Sequence, residues 1–304
     1  MRDRVLVGSR ASALAMWQTN WVVQELSRLY PGLAVQILPI KTEGDLNLDT
    51  PLPRLGGKGI FVNEIENALL CGTIDLAVHS LKDLPTEQPE ELAISAVPKR
   101  ADARDALVSR SGLDLASLPP GATVGTSSLR RSAQLLAARP DLRMANLRGN
   151  VDTRLRKAVT DFDAIVVAVA GLLRLGMAGR ITAVLPVDVC TPAVGQGALA
   201  VETRAGDDDL AQLVAPLDDP ETRAAVEAER ALLHRLGGGC HVPVGGYAYA
   251  AADKLVLVAV VADPSGRPCF RRDLAGVLSN PVVLGQHLAD LLLDAGADVL
   301  LGRR

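Results

Sequence analysis

The sequence predicts an α/β protein whose last part is a smaller α+β unit. Short apolar runs alternate with stretches of helical periodicity through roughly the first two thirds of the chain, as strands and helices laid down in turn would require. With 304 residues, 48% hydrophobic and 22% charged, the chain has material for about two domains with real cores, or three small ones. Beyond residue 220 the order changes, and one long helical pattern is followed by strand-like runs and a last helix.

Residues 4–7 read as a strand leading through Gly8-Ser9-Arg10 into a helix over 12–29. Leu14, Trp21, Val22 and Leu29 share one side of that helix, although Gln18 and Glu25 intrude. Pro31-Gly32 stops it, and 35–40 is the next strand. A helix is expected over 61–70, then strands at 75–79 and 92–97. Between the strand at 35–40 and that helix, residues 42–58 have no period and hold Gly44, Pro51, Pro53, Gly56 and Gly57; a loop of that length is a lid or an unstructured segment. A second set has strands at 106–109, 123–125 and 164–168 with helices at 128–138 and 151–159, the first stopped by Pro140. The apolar run 198–201, after Gly195-Gln196-Gly197, is expected to return to the first sheet. The last unit has a helix over 220–236 with Ala225, Ala228, Leu232 and Leu236 on one face, strands at 254–261 and 269–274, and a helix over 281–293.

Composition removes several function classes. Aromatic residues make up 3% and the formal net charge is −3, which argues against a base-stacking platform or a basic surface that tracks nucleic-acid phosphates. An anion site must then be a local concentration of arginines. Cys71, Cys190, Cys240 and Cys269 form no disulfide framework and no metal-ligand spacing, which fits a reducing cytoplasm and no metal. The opening apolar run Val5-Leu6-Val7 is too short for a signal peptide, and no apolar stretch approaches the ~18 residues of a membrane span. A cytoplasmic protein with neither membrane nor nucleic-acid partner is expected.

Three strand–helix junctions carry arginines and hydroxyls together: Ser9-Arg10-Ala11-Ser12, Gly125-Thr126-Ser127-Ser128-Leu129-Arg130-Arg131, and Leu147-Arg148-Gly149-Asn150-Val151-Asp152-Thr153-Arg154. Backbone N–H groups and the helix dipole favour an anion there, while simple N-capping beside solvated arginines is the plainer alternative. Gly56-Gly57-Lys58-Gly59 lacks the spacing of a phosphate loop. Arginine rather than lysine favours bidentate capture of carboxylates, so the ligand reads as a small molecule bearing several of them. One acid stands among these bases, in His79-Ser80-Leu81-Lys82-Asp83-Leu84-Pro85. Asp83 could stabilise a cation that forms during a reaction or shuttle a proton, or could be a turn aspartate. Cys240, in Gly237-Gly238-Gly239-Cys240-His241-Val242-Pro243-Val244-Gly245-Gly246, is framed by residues without bulk. It is open to covalent attachment or to packing.

Taken in order, these motifs, with Ala193-Val194-Gly195-Gln196-Gly197-Ala198, resemble the porphobilinogen deaminase, or hydroxymethylbilane synthase, family over nearly the whole chain. The resemblance implies two type II periplasmic-binding-protein-like α/β domains with the active cleft between them, plus a small C-terminal α+β domain. Residues 1–98 with 198–217 would form domain 1, 103–193 domain 2 and 219–304 domain 3. It implies stepwise head-to-tail condensation of four porphobilinogen molecules, with loss of ammonia, on a dipyrromethane cofactor joined by a thioether to Cys240. Hydrolysis then releases hydroxymethylbilane. Asp83 would be catalytic. Arg10, Arg130, Arg131, Arg148, Arg154 and Arg174, with Lys58 and Lys82, would clamp carboxylates, and Ser12, Ser80, Thr126, Ser128 and Gln196 would bind cofactor or substrate. A monomer is implied. Gly237 and Arg54 depart from the family pattern, which usually has glutamate and lysine there. A two-lobed anion-binding module would explain the arginines but neither Asp83 nor Cys240, and a cysteine acyltransferase would need a base beside the thiol.

Overall fold

The computed structural model describes residues 2–46, 62–158, 160–237 and 243–302. β1 (Arg4–Arg10) buries Val5 and Val7 completely. α1 (Ala13–Leu29) begins at Ser12, whose hydroxyl accepts the Ala15 N–H at 3.3 Å, and it lays Val22 and Leu26 on the sheet. β2 (Ala34–Ile40) runs parallel to β1. The stretch expected to be a loop starts instead with a single helical turn, α2 (Glu43–Leu46), and the remainder of that stretch, 47–58, lies outside the described residues. α3 (Asn63–Leu70), β3 (Leu76–Ser80) and β4 (Leu92–Ala96) follow.

The middle of the chain contributes β5 (Asp105–Ser109), β6 (Thr123–Gly125), α4 (Leu129–Ala138), β7 (Arg143–Ala145) and α5 (Val151–Ala158). β8 (Ala164–Ala168), α6 (Val169–Arg174) and β9 (Ala183–Val184) complete it. Its sheet has the order β7-β6-β8-β5-β9, with β6 parallel to β7 and β8, and β5 antiparallel to both its neighbours. Because side chains alternate across a strand, Leu107 packs with Leu135 on one face while Val108 packs with Leu155 and Leu172 on the other. Near-continuous apolar strands such as Ala164–Ala168 are what a sheet covered on both faces needs.

β10 (Leu199–Arg204) lies antiparallel between β3 and β4, so the first sheet reads β2-β1-β3-β10-β4, and α7 (Asp208–Val214) packs on the α1 face. The last part is α8 (Pro220–Arg235), an antiparallel sheet of β11 (Val244–Ala251), β12 (Lys254–Ala262) and β13 (Cys269–Val277), and α9 (Pro281–Asp294). Ala228, Leu232 and Leu236 of the α8 region pack with Leu257, Val261 and Leu288 in its core. The chain thus divides into two units, Met1–Ala101 with Ala198–Arg223, and Asp102–Gly197 with Ala224–Arg304.

β11 is a strand that the sequence pattern concealed. Gly245 and Gly246 read as loop glycines, yet both are paired in β11. A Cβ on Gly245 would come within 2.9 Å of the Thr191 carbonyl oxygen, and one on Gly246 within 2.9 Å of Leu232 Cδ2. Close approach of neighbouring elements is the reason for glycine there. Gly237 is different: its φ of +61° follows the end of α8, and a left-handed residue closing a helix is the position where glycine is cheapest.

Candidate active site

In the first unit the chemistry gathers at the end of β3. Leu81 (1% exposed) and Leu84 (5%) both turn inward, and the Leu81 N–H donates to the Ala198 carbonyl at 3.1 Å. Leu81–Asp83 form a single 3-10 turn closed by Leu84 N–H donating to Leu81 O at 3.1 Å. With leucines at the first and fourth positions fixed in the core, Lys82 and Asp83 between them are left exposed. Ser80 is half-buried and exchanges hydrogen bonds with the Gln18 amide of α1, at 2.9 Å to Nε2 and 3.1 Å to Oε1. Arg10 is half-buried at the end of β1, and Ser12 caps α1.

In the second unit the junction between β6 and α4 is built as its spacing suggests. The Ser128 N–H donates to Thr126 Oγ1 at 3.2 Å, Ser128 Oγ accepts the Arg131 N–H at 3.4 Å, and Ser127 Oγ donates to the Leu147 carbonyl. N-capping and the arginines therefore coexist. Both guanidinium groups turn inward, with Arg130 and Arg131 each 6% exposed, and converge on Asp105, which is fully buried. Arg131 donates to Asp105 Oδ1 from Nε (3.0 Å) and Nη2 (2.7 Å), and Arg130 Nη1 donates to Oδ2 at 2.8 Å. Gln196, 1% exposed, completes the cluster by donating from Nε2 to Asp105 Oδ1 at 2.9 Å and to the Ala103 carbonyl at 2.7 Å. Burial alone would raise the Asp105 carboxyl, but the charges of Arg130 and Arg131 and their hydrogen bonds hold it well below the usual carboxylate range.

Arg154 donates from Nε to the Gly149 carbonyl at 2.7 Å, tying α5 to the turn that carries half-buried Arg148. That turn needs Gly149, whose φ is +111°. Arg174 ends α6 and donates from Nη2 to the Gly197 carbonyl at 2.7 Å. Burial brings its guanidinium down to about 10. Lys58 and Cys240 lie outside the described residues.

Sequence reasoning missed the residues behind this surface. Asp105 lay just ahead of the strand expected at 106–109, and Gln134, Thr191 and Arg271 carried no signal. Arg271 Nη2 of β13 donates to Gln134 Oε1 at 3.0 Å, and Gln134 Nε2 donates to the Thr191 carbonyl at 3.0 Å. Glu229 of α8 accepts the Gly195 N–H at 2.7 Å and the Ala248 N–H at 2.8 Å. The available signal was a charged residue inside an apolar strand, as in Asp105-Ala106-Leu107-Val108, because such a residue is buried only with partners. Cys190 sits against the same cluster, its Sγ 3.4 Å from Asp105 Oδ2, and burial together with Asp105 pushes its thiol up to about 12. Native protein treated with iodoacetamide is expected to be alkylated at exposed Cys71 and spared at Cys190. Equal labelling by peptide mass spectrometry would contradict that packing.

Comparison with known proteins agrees along the chain. The family model described as porphobilinogen deaminase, dipyromethane cofactor binding domain, matches residues 5–212, and that described as porphobilinogen deaminase, C-terminal domain, matches 223–294. The porphobilinogen deaminase of Roseiflexus castenholzii is 53% identical over 302 residues, covering 99% of each chain. That of Syntrophotalea carbinolica is 52% identical, covering 97% of this chain and 94% of the relative, and that of Geobacillus kaustophilus 50%, covering 98% and 97%. Among solved structures, the methionine binding protein MetQ is 14% identical with a TM-score of 0.46, over 71% of this chain and 89% of that chain.

Proposed function

The chain belongs to the porphobilinogen deaminase family, and on that premise we propose that it condenses four porphobilinogen molecules head to tail, releasing ammonia at each addition and hydroxymethylbilane at the end. The observation that carries the catalytic reading is the Leu81–Asp83 turn, where two buried leucines hold one carboxylate exposed beside a lysine at the end of a sheet strand. Porphobilinogen bears two carboxylates of its own, so an acid in its site has a different task.

The donor set suits the family's dipyrromethane, whose acid side chains need cations; desolvated Arg174 is the case in point. When bound, that cofactor supplies the nucleophilic pyrrole carbon. Cys240 is assigned its thioether. Arg10, Arg148, Arg154 and Arg174 bind acetate and propionate groups, with Lys82 and Lys58 assisting. Arg130 and Arg131, oriented by Asp105, contribute positive charge at the start of α4, where Thr126, Ser128 and Gln196 offer hydrogen bonds. Ser12 and Ser80 do so in the domain that carries Asp83. The Asp83 carboxylate, exposed at the end of β3, would accept a hydrogen bond from a pyrrole N–H of the reacting unit. It would stabilise the positive charge left on the substrate as ammonia departs and would accept the proton released at each addition.

We assign Asp83 to a domain of residues 1–98 and 198–217, the arginine-bearing junctions to 103–193, and the attachment cysteine to 219–304. A cytoplasmic monomer acting on a small molecule, without nucleic acid, completes the reading; among the described residues no helix is long and apolar enough to cross a membrane.

Intact-mass measurement tests the attachment. The purified protein is expected to exceed its polypeptide mass by two pyrrole units and to colour with an acidic aldehyde reagent for pyrroles. Cys240→Ala should match the bare polypeptide, fail to colour and be inactive. Active protein at the bare polypeptide mass would refute the assignment.

A further inference from the structure

Between the first sheet and α3 lie three buried polar side chains, His79 of β3 (6% exposed), Glu202 of β10 (0%) and Glu66 of α3 itself (8%). A carboxylate is removed from water only where partners replace the solvent, so the partners show what the group holds. Ala200 of β10 stands opposite His79 of β3, which makes Glu202, two residues along, the diagonal neighbour of His79 on one face. His79 Nε2 donates to Glu202 Oε2 at 3.1 Å, and Gln88 Nε2 donates to Glu202 Oε1 at 2.8 Å. His79 precedes the segment that bears Lys82 and Asp83, and Gln88 follows it. The two ends of that segment therefore hang from the two oxygens of one carboxylate.

A second buried carboxyl, Glu66 of α3, lies near Glu202. Glu66 Oε1 is buried without a partner among the described residues, and burial, then the charge of Glu202, raise the Glu66 carboxyl. A second negative charge is resisted there. On the opposite face of the sheet Ser80 is held by Gln18, so the last two residues of β3 are pinned from both sides.

We infer that Glu202 is a positioning residue for the reaction, holding the Asp83 segment through His79 at one end and Gln88 at the other. The inference rests on the catalytic reading of Asp83. Gln88 is only half-buried, so its replacement tests the outer tie without threatening the core. In the cofactor-loaded enzyme, Gln88→Ala is expected to lower kcat about ten-fold with KM within about two-fold, because small displacements of a reacting group cost rate rather than binding. Amide hydrogen exchange over residues 81–87 should quicken while exchange in α1 stays unchanged. Gln88→Lys, which keeps a donor toward Glu202, should restore kcat and the slow exchange. Glu202→Gln, with one acceptor oxygen for two donors, should quicken exchange at least as much as Gln88→Ala.

Wild-type kcat in Gln88→Ala, with or without faster exchange, would overturn the positioning role. So would a loss of rate that Gln88→Lys does not recover. Asp83→Ala assayed alongside separates the two readings. If it keeps turnover, the catalytic assignment of Asp83 fails and the inference with it; if it is inactive while Gln88→Ala turns over normally, only the positioning role falls.

Discussion

Asp83→Ala is expected to keep its cofactor, fold normally and lose roughly 10³-fold in kcat, the combined scale of a charge-stabilising and a proton-transferring group. The side chain is exposed between two buried leucines, and its removal leaves both leucines and their hydrogen bonds in place. An unfolding temperature within about 2 °C of wild type is therefore expected, as for most surface substitutions. Asp83→Asn, which keeps the shape and loses the charge, should fall nearly as far. Asp83→Glu, which keeps the charge on a longer arm, should retain part of the rate. Intact mass before assay shows whether the cofactor is present, and single-turnover measurement shows whether addition or release is slowed. Turnover of Asp83→Ala near the wild-type rate would remove the aspartate from the mechanism.

The second large effect concerns stability. Asp105→Ala leaves the guanidinium groups of Arg130 and Arg131, each 6% exposed, without their shared counter-charge. Removing one side of a buried ion pair costs about 3–5 kcal/mol, a large fraction of the roughly 5–15 kcal/mol that holds a domain folded. The midpoint of urea unfolding of the second unit should drop accordingly. A triple variant with Asp105→Leu, Arg130→Met and Arg131→Met should unfold later than Asp105→Ala, since no uncompensated charge remains, yet be inactive.

Acid separates the charge from the packing. A carboxyl held below its unfolded value stabilises fully above that value, near 3.9, and loses this contribution as pH falls through its folded value. Asp105→Asn should accordingly differ most from wild type at neutral pH, and the two should converge as the solution is acidified below about pH 4. Equal midpoints of Asp105→Ala and wild type at pH 7 would show that the buried pair does not hold the α4 region.

The fold class was legible because it depends on local signals. The break at Pro31-Gly32, the apolar run at Ala164–Ala168 and the cap at Ser128 all act within a few residues, and the elements formed there. Where a signal had two causes, local reading failed. Gly245-Gly246 marks a turn in one context and a crowded strand in another, and only the Thr191 carbonyl and Leu232 lying beside it distinguish them. α2 and the three-residue β7 were too short for any period to show.

The candidate site divides in the same way. The types of residue needed to bind an acidic ligand, and the position of Asp83 just past a strand, were written in consecutive residues, because turn chemistry and helix termini are properties of short segments. Their orientation was not. Arg130 meets a carboxylate 25 positions away and His79 one 123 positions away. No period or spacing encodes such a pairing, since it follows from which strands lie side by side in the sheet. By itself the sequence determined the family, most of the longer elements and the chemistry on offer. Tertiary structure decided that two arginines face inward on Asp105 and that Glu202 stands behind the Asp83 turn, because a buried charge is stable only where distant parts of the chain bring it a partner.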